Sequence, residues 1–137
     1  YAYRLLENEK MPGWLFMTKM GANTIWESWE GTSAQKGIAS LDHYSKGAVV
    51  EWIISRMCGI NVVNENEFLI NPIIGGKFTF AESSYLSIYG LVKSSWKINK
   101  DKVEYHISIP SNTKAKIVLN NKIYEAGAGE FDFCIDK

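Results

Sequence analysis

The side chains most able to do chemistry are concentrated between Gly21 and Gly31, in the run Gly21-Ala22-Asn23-Thr24-Ile25-Trp26-Glu27-Ser28-Trp29-Glu30-Gly31. Glu27 stands between two indoles in a loop bounded by glycines. Aromatic faces stack on the C–H faces of sugars, and apolar walls can raise a carboxyl pKa toward acid–base work. Glycoside hydrolysis uses such groups, with two carboxylates flanking the scissile bond. A glutamate beside tryptophans is also common as a plain surface acid near packed aromatics, and both readings stay open at this point. His43 is the second candidate. It is expected in the first turn of a helix, where the dipole disfavours protonation and a neutral imidazole could bond a sugar hydroxyl. The bland alternative is a histidine bonded to its own loop. His106 falls on the polar face of a strand and is expected to be solvated. The chain has no HExxH, no paired-cysteine metal spacing, no GxSxG and no phosphate loop. Neither a metal nor a cofactor is expected.

These residues need a scaffold, and the pattern of the first 60 residues is helical. Tyr3, Leu5 and Leu6 read as the tail of a helix that ends before Pro12. Pro12 opens a short helix containing Trp14, Leu15, Phe16 and Met17, with Gly21 closing it. The clearest helix is expected from about Leu41 to Cys58, with Ser40 as N-cap, Asp42 in the first turn and Gly59 at the C′ position. Its apolar stripe comprises Leu41, Tyr44, Ala48, Val49, Trp52, Ile53 and Met57. Trp14, Trp26, Trp29 and Trp52 are expected to face further helices, because about 60 residues with one long helix bury too little surface to stand alone.

From Ile60 onward the period becomes two. Val103, Tyr105, Ile107 and Ile109 alternate with Glu104, His106 and Ser108, and Ser94, Trp96 and Ile98 alternate with lysines and Ser95. Residues 99–102 join these strands as a hairpin. Further strands are expected at 68–74, 78–82, 85–92, 114–119, 122–126 and 130–135, separated by Gly75-Gly76, Pro110-Ser111-Asn112, Asn120-Asn121 and Gly127-Ala128-Gly129. About eight short strands argue for a two-sheet antiparallel sandwich over 67–137. A domain boundary is therefore expected at 60–66, dividing the chain into 1–60 and 61–137.

Among its 137 residues, fifteen basic and fifteen acidic side chains cancel. They also cancel locally, six against six in residues 1–60 and nine against nine beyond. No basic face follows, which argues against nucleic acid or an anionic membrane as partner. No apolar run reaches the ~20 residues of a membrane-spanning helix. Cys58 and Cys134 are far apart and each is expected to be a buried free thiol. The chain begins at Tyr1 with no signal peptide, which reads as a piece of a longer protein and leaves periplasm and cytoplasm both open.

Tyr3-Arg4-Leu5-Leu6, Pro12-Gly13-Trp14 and Gly21 to Trp29 resemble the closing part of the catalytic domain of glycoside hydrolase family 78, the bacterial α-L-rhamnosidases. Ser40-Leu41-Asp42-His43-Tyr44, Gly47-Ala48-Val49 and Glu51-Trp52 are similar to that family's next helix. Phe68-Leu69-Ile70 with Pro72, then Ser84-Tyr85, Ser87 to Gly90 and Ser94-Ser95-Trp96, resemble the start of its C-terminal sandwich. The resemblance implies the last helices of an (α/α)₆ barrel over 1–60, followed by an antiparallel, jelly-roll-like β-sandwich over 61–137. It implies hydrolysis of terminal α-L-rhamnose with inversion, on rhamnose-containing glycosides or polysaccharides. Glu27 takes the role of general base, His43 contacts the sugar, and Trp26 and Trp29 wall the pocket. The general acid and the remaining barrel helices would lie upstream in the same protein. Asp42, where relatives commonly carry Asn, and Lys46, where they carry an aromatic or small residue, depart from the pattern. Two other readings compete: a carbohydrate-binding or structural sandwich module with a helical leader, and the tail of another barrel glycosidase. The aromatics Tyr85, Tyr89, Trp96, Tyr105, Phe131 and Phe133 fall mostly on core-type positions, which favours a structural sandwich.

Overall fold

The computed structural model describes residues 1–33 and 39–137. They divide into two compact units, Tyr1–Val50 with Gly75–Lys77, and Glu51–Ile74 with Phe78–Lys137.

In the first unit, α1 spans Ala2–Leu6 and α2 spans Trp14–Lys19. The link between them is built on Asn8, whose side-chain amide donates to the carbonyl of Pro12 at 2.6 Å and whose Oδ1 accepts the N–H of Lys10 at 3.2 Å. Gly13 is required here, since a Cβ would stand 2.3 Å from the carbonyl oxygen of Asn8. Gly21, at φ +83°, follows α2 as the left-handed closing residue that the sequence suggests. Gly75 and Gly76 do more than make a turn. A Cβ on Gly75 would meet the Tyr3 ring at 2.8 Å, and the carboxylate of Glu7 accepts the N–H of Lys77.

The helix expected from Leu41 begins only at Ser45. Ser45–Ala48 is a 3₁₀ turn, α3 follows over Val49–Trp52, and Ile53–Met57 is a π-helical turn. Residues 40–43 are unavailable for helix because they pair with 24–27. The N–H of Glu27 donates to Ser40 O at 2.9 Å and that of His43 to Ile25 O at 2.8 Å. Ser40 is not an N-cap: its hydroxyl accepts the N–H of Asp42 at 3.1 Å in a local turn.

In the second unit, the π turn ends at Gly59, which has φ +80° as a C′ glycine should. Its terminal carbonyls have no helical partners and take donors from elsewhere. Ser55 O accepts Asn61 Nδ2 at 3.0 Å, Arg56 O accepts the N–H of Ile73 at 2.8 Å, and Gly59 O accepts that of Asn71 at 2.9 Å. Met57 O accepts Trp96 Nε1 at 2.8 Å, and Cys58 O accepts Ser94 Oγ at 2.6 Å.

Eight strands follow: β1 Ile60–Asn64, β2 Glu67–Ile70, β3 Phe80–Ser87, β4 Gly90–Asn99, β5 Lys102–Ile109, β6 Lys114–Leu119, β7 Lys122–Ala126 and β8 Gly129–Asp136. They form two four-stranded sheets, ordered β1-β2-β6-β7 and β3-β4-β5-β8. All pairings are antiparallel except β2 with β6, which is parallel. Residues 93–119 contain strands and turns without helix. Phe68, Ile70, Ala115, Ile117 and Leu119 face inward from one sheet, and Val92, Ser94, Trp96, Val103, Tyr105 and Ile107 from the other, all buried. Fully burying a side chain such as Phe68 or Ile117 contributes about 1.5–3 kcal/mol. Asn120 and Asn121 both have positive φ, making the tight β6–β7 hairpin that their residue types favour.

Three expectations change here. β1 occupies residues assigned to the interdomain boundary. The run 85–92 is not one strand, because Ile88 and Tyr89 turn between β3 and β4, with Ser87 Oγ donating to Gly90 O at 2.8 Å. Cys58 is buried, but Cys134 is exposed, because inward Phe133 and Ile135 flank it on β8 and alternation turns it outward.

Candidate active site

The site residues of the first unit are brought together by the pairing of 25–27 with 40–43. That pairing, together with Lys46, fixes Glu27 at three points. Its N–H donates to Ser40 O at 2.9 Å, its Oε2 accepts the N–H of Ser40 at 2.7 Å, and its carbonyl accepts the ammonium of Lys46. Oε1 carries no hydrogen bond among the described residues. The carboxylate is exposed, so the apolar enclosure suggested by the neighbouring indoles is not supplied by these residues.

The indoles serve different ends. Trp26 is only 3% exposed and lies across Gly31, whose φ is +52° and where a Cβ would sit 1.9 Å from ring atom Cε3. It is packed locally, contrary to the expectation that it faces other helices. Trp29 is half-buried and meets Trp14 edge-on, with centroids 5.3 Å apart and an interplanar angle of 88°. Such pairs add about 0.5–1.5 kcal/mol beyond their buried area. Lys46 Nζ stands 4.8 Å from the Trp29 ring centroid, and Trp14 Nε1 donates to Lys46 O at 3.1 Å.

His43 precedes the 3₁₀ turn instead of lying inside a helix. Its Nδ1 accepts the N–H of Ser45 at 3.2 Å and lies 3.0 Å from Ser45 Oγ. An Nδ1 that accepts a backbone N–H leaves the proton of the neutral ring on Nε2, which has no bonded partner among the described residues. The ring stacks on Tyr44 at 5.0 Å and 16°. The local loop bond is thus present, and it uses only one of the two ring nitrogens.

Glu30 differs from Glu27 in its attachments. The hydroxyl of Ser28 donates to its Oε2 at 2.7 Å, and that bond holds its carboxyl below the usual range. In the second unit, His106 is not simply solvated. Its Nδ1 lies 2.8 Å from Asp132 Oδ1 and its Nε2 3.1 Å from Glu130 Oε2, on an exposed sheet face. Ser40 and Lys46 are the site residues that sequence reasoning missed as participants. Ser40 lies thirteen positions from Glu27 and Lys46 nineteen, and neither separation has a local periodicity that would reveal it.

Residues 1–57 match the six-hairpin glycosidase domain of bacterial α-L-rhamnosidases, and residues 66–131 match the bacterial α-L-rhamnosidase C-terminal domain. An α-L-rhamnosidase of Formosa agariphila is 36% identical over 124 residues, covering 85% of this chain and 13% of that protein. One from Streptomyces avermitilis is 30% identical over 123 residues, covering 85% and 12%. The chain therefore spans only a small part of the length of these relatives. Among solved structures, the native α-L-rhamnosidase from Aspergillus terreus superposes with a TM-score of 0.90 at 24% identity, over 97% of this chain and 17% of that one. The Streptomyces avermitilis enzyme complexed with L-rhamnose superposes with a TM-score of 0.86 at 25% identity, over 98% and 16%. With both of its domain models drawn from one family and matched in order along its length, the chain belongs to the bacterial α-L-rhamnosidase family, glycoside hydrolase family 78.

Proposed function

We propose that the enzyme containing this chain releases terminal α-L-rhamnose from rhamnose-containing glycosides or polysaccharides with inversion, using Glu27 as general base. The observation that carries this reading is the triple anchoring of Glu27, which fixes the backbone and one carboxylate oxygen and leaves Oε1 unengaged among the described residues. A general base must be ionised and must hold a water on the face opposite the leaving group. His43 offers its Nε2–H to a sugar hydroxyl, with Nδ1 committed to Ser45. Trp29, half-buried, walls the sugar site, whereas Trp26 is buried against Gly31 and does not. Residues 1–60 form the end of the helical barrel, and residues 61–137 a sandwich whose role is structural, since Trp96 and Tyr105 lie in its core.

Inverting glycosidases place the acid and base carboxyls roughly 6.5–9.5 Å apart. The general acid belongs to a part of the enzyme outside this chain, so the 137 residues alone are expected to give no turnover of an aryl α-L-rhamnoside. The stereochemical test is proton NMR of the full-length enzyme during early turnover. β-L-Rhamnose as the first-formed anomer supports inversion, and α-L-rhamnose appearing first refutes it.

A further inference from the structure

The side chain of Lys46 reaches two parts of the site at once, the backbone of Glu27 and the ring of Trp29. Its ammonium donates to the Glu27 carbonyl and stands 4.8 Å over the Trp29 ring. Its own carbonyl accepts Trp14 Nε1 at 3.1 Å, and Trp14 in turn packs edge-on against Trp29. A flexible lysine stem is thus held at its backbone by Trp14 and at its tip by the Glu27 carbonyl and the Trp29 ring.

We propose that Lys46 is a positioning residue: it locks the Glu27 backbone and the Trp29 ring into one arrangement, so that the carboxylate meets the attacking water in register. The inference rests on the reading of Glu27 as general base. Lys46 touches neither the reacting atoms nor the sugar in this role, and acts through Glu27 and Trp29. The physical basis is twofold. A charge-assisted bond to a carbonyl is about twice as strong as a neutral one. A cation over an indole face is attracted by the ring's negative π face. Misplacement of a catalytic group by about 1 Å can cost on the order of 10²-fold in rate, so releasing this lock should be felt in turnover more than in binding.

The test is a double-mutant cycle in the full-length enzyme, read as kcat and KM separately on an aryl α-L-rhamnoside. Lys46→Met keeps the stem and removes the charge. It should lower kcat by ~10-fold or more while KM stays within about twofold. Lys46→Arg keeps a cation that can both donate and stack, and should recover most of the loss. In a Glu27→Gln background, Lys46→Met should have an effect of about twofold or less, because the group it positions is already gone. Thermal unfolding of each variant accompanies the kinetics, and Lys46→Gln provides a second neutral variant if Lys46→Met fails to fold. Unchanged kcat in a folded neutral variant overturns the inference. So does an equal loss in the Glu27→Gln background, which would mark Lys46 as a general prop. Glu27→Gln retaining near wild-type kcat would instead refute the base assignment, whatever the lysine variants do, so the two failures are separable.

Discussion

Ser40 and Glu27 hold each other by a reciprocal pair of hydrogen bonds. The N–H of Glu27 donates to the Ser40 carbonyl at 2.9 Å, and the N–H of Ser40 donates to Glu27 Oε2 at 2.7 Å. The second bond depends on the backbone of residue 40 and not on its hydroxyl, which is occupied with Asp42. Ser40→Ala should therefore leave kcat within about threefold and cost only the local turn, on the order of 0.5–1 kcal/mol of stability. Steady-state kinetics of the full-length enzyme and a thermal melt check both parts.

Gly31 is tied to Trp26 by shape. Its φ of +52° disfavours any side chain, and a Cβ would clash with the Trp26 indole at 1.9 Å. Gly31→Ala should destabilise the first unit by on the order of 3 kcal/mol, combining backbone strain with overpacking. The expected signature is a red shift of tryptophan emission together with loss of activity in the full-length enzyme. A Gly31→Ala protein with wild-type emission and melting would contradict the packing described.

At the start of the sandwich, Trp96 and Ser94 donate to the Met57 and Cys58 carbonyls, in buried surroundings. Removing a donor leaves a buried acceptor unpaired, which costs about 1–3 kcal/mol. Ser94→Ala should show that cost nearly undiluted by packing changes. Trp96→Phe should exceed it, because indole volume is lost as well. Denaturant midpoints of the 137-residue chain measure both.

The two cysteines should separate chemically. Burial, with a smaller contribution from Glu82, pushes the Cys58 thiol up to about 11, whereas Cys134 is exposed. At pH 8, only about one Cys58 thiol in a thousand would be thiolate, the reactive form. Brief iodoacetamide treatment of the native protein should therefore alkylate Cys134 alone, as read by peptide mass spectrometry. Because the folded value lies above the ordinary thiol value, folding favours the protonated form. The stabilisation is complete below pH 9 and is lost as pH rises through about 11.

His43 provides a contrast with Glu27. A sugar-hydroxyl contact made both before and during the reaction affects binding and turnover together. His43→Ala should raise KM and lower kcat, and Ser45→Ala, which loosens the ring at Nδ1, should shift both in the same direction by less. A His43→Ala enzyme with wild-type KM and kcat would remove His43 from the site.

Much of this architecture could be read from local pattern. The alternation of Val103, Tyr105, Ile107 and Ile109 announces β5, and Gly21 and Gly59 mark the ends of their helical turns because only left-handed backbone fits there. What escaped depends on partners distant in sequence. The helix starts at Ser45 and not at Leu41 because 40–43 are claimed by 24–27. The parallel pairing of Phe68 with Ala115 joins strands more than forty residues apart. The Asn-rich strand β1 looks like a linker until β2 supplies its ladder. Glu27 and His43 stood out by residue type and by family resemblance. Ser40 and Lys46 stood out only as an N-cap and as a departure from the family pattern; that they hold Glu27 was hidden, since a backbone N–H and a lysine at those separations leave no periodic mark.

The central claim is that Glu27 is the general base, and azide rescue of the full-length Glu27→Gln enzyme tests it most directly. Positioned proton transfer contributes ~10²–10⁴-fold, so Glu27→Gln should lower kcat by about that much with KM nearly unchanged. Glu30→Gln, whose carboxylate is bonded to Ser28 instead, should matter far less. Azide added to Glu27→Gln with an activated α-L-rhamnoside should restore turnover and yield β-L-rhamnosyl azide, formed from the face the lost carboxylate served. Near wild-type kcat in Glu27→Gln, or an α-configured azide product, would contradict the assignment.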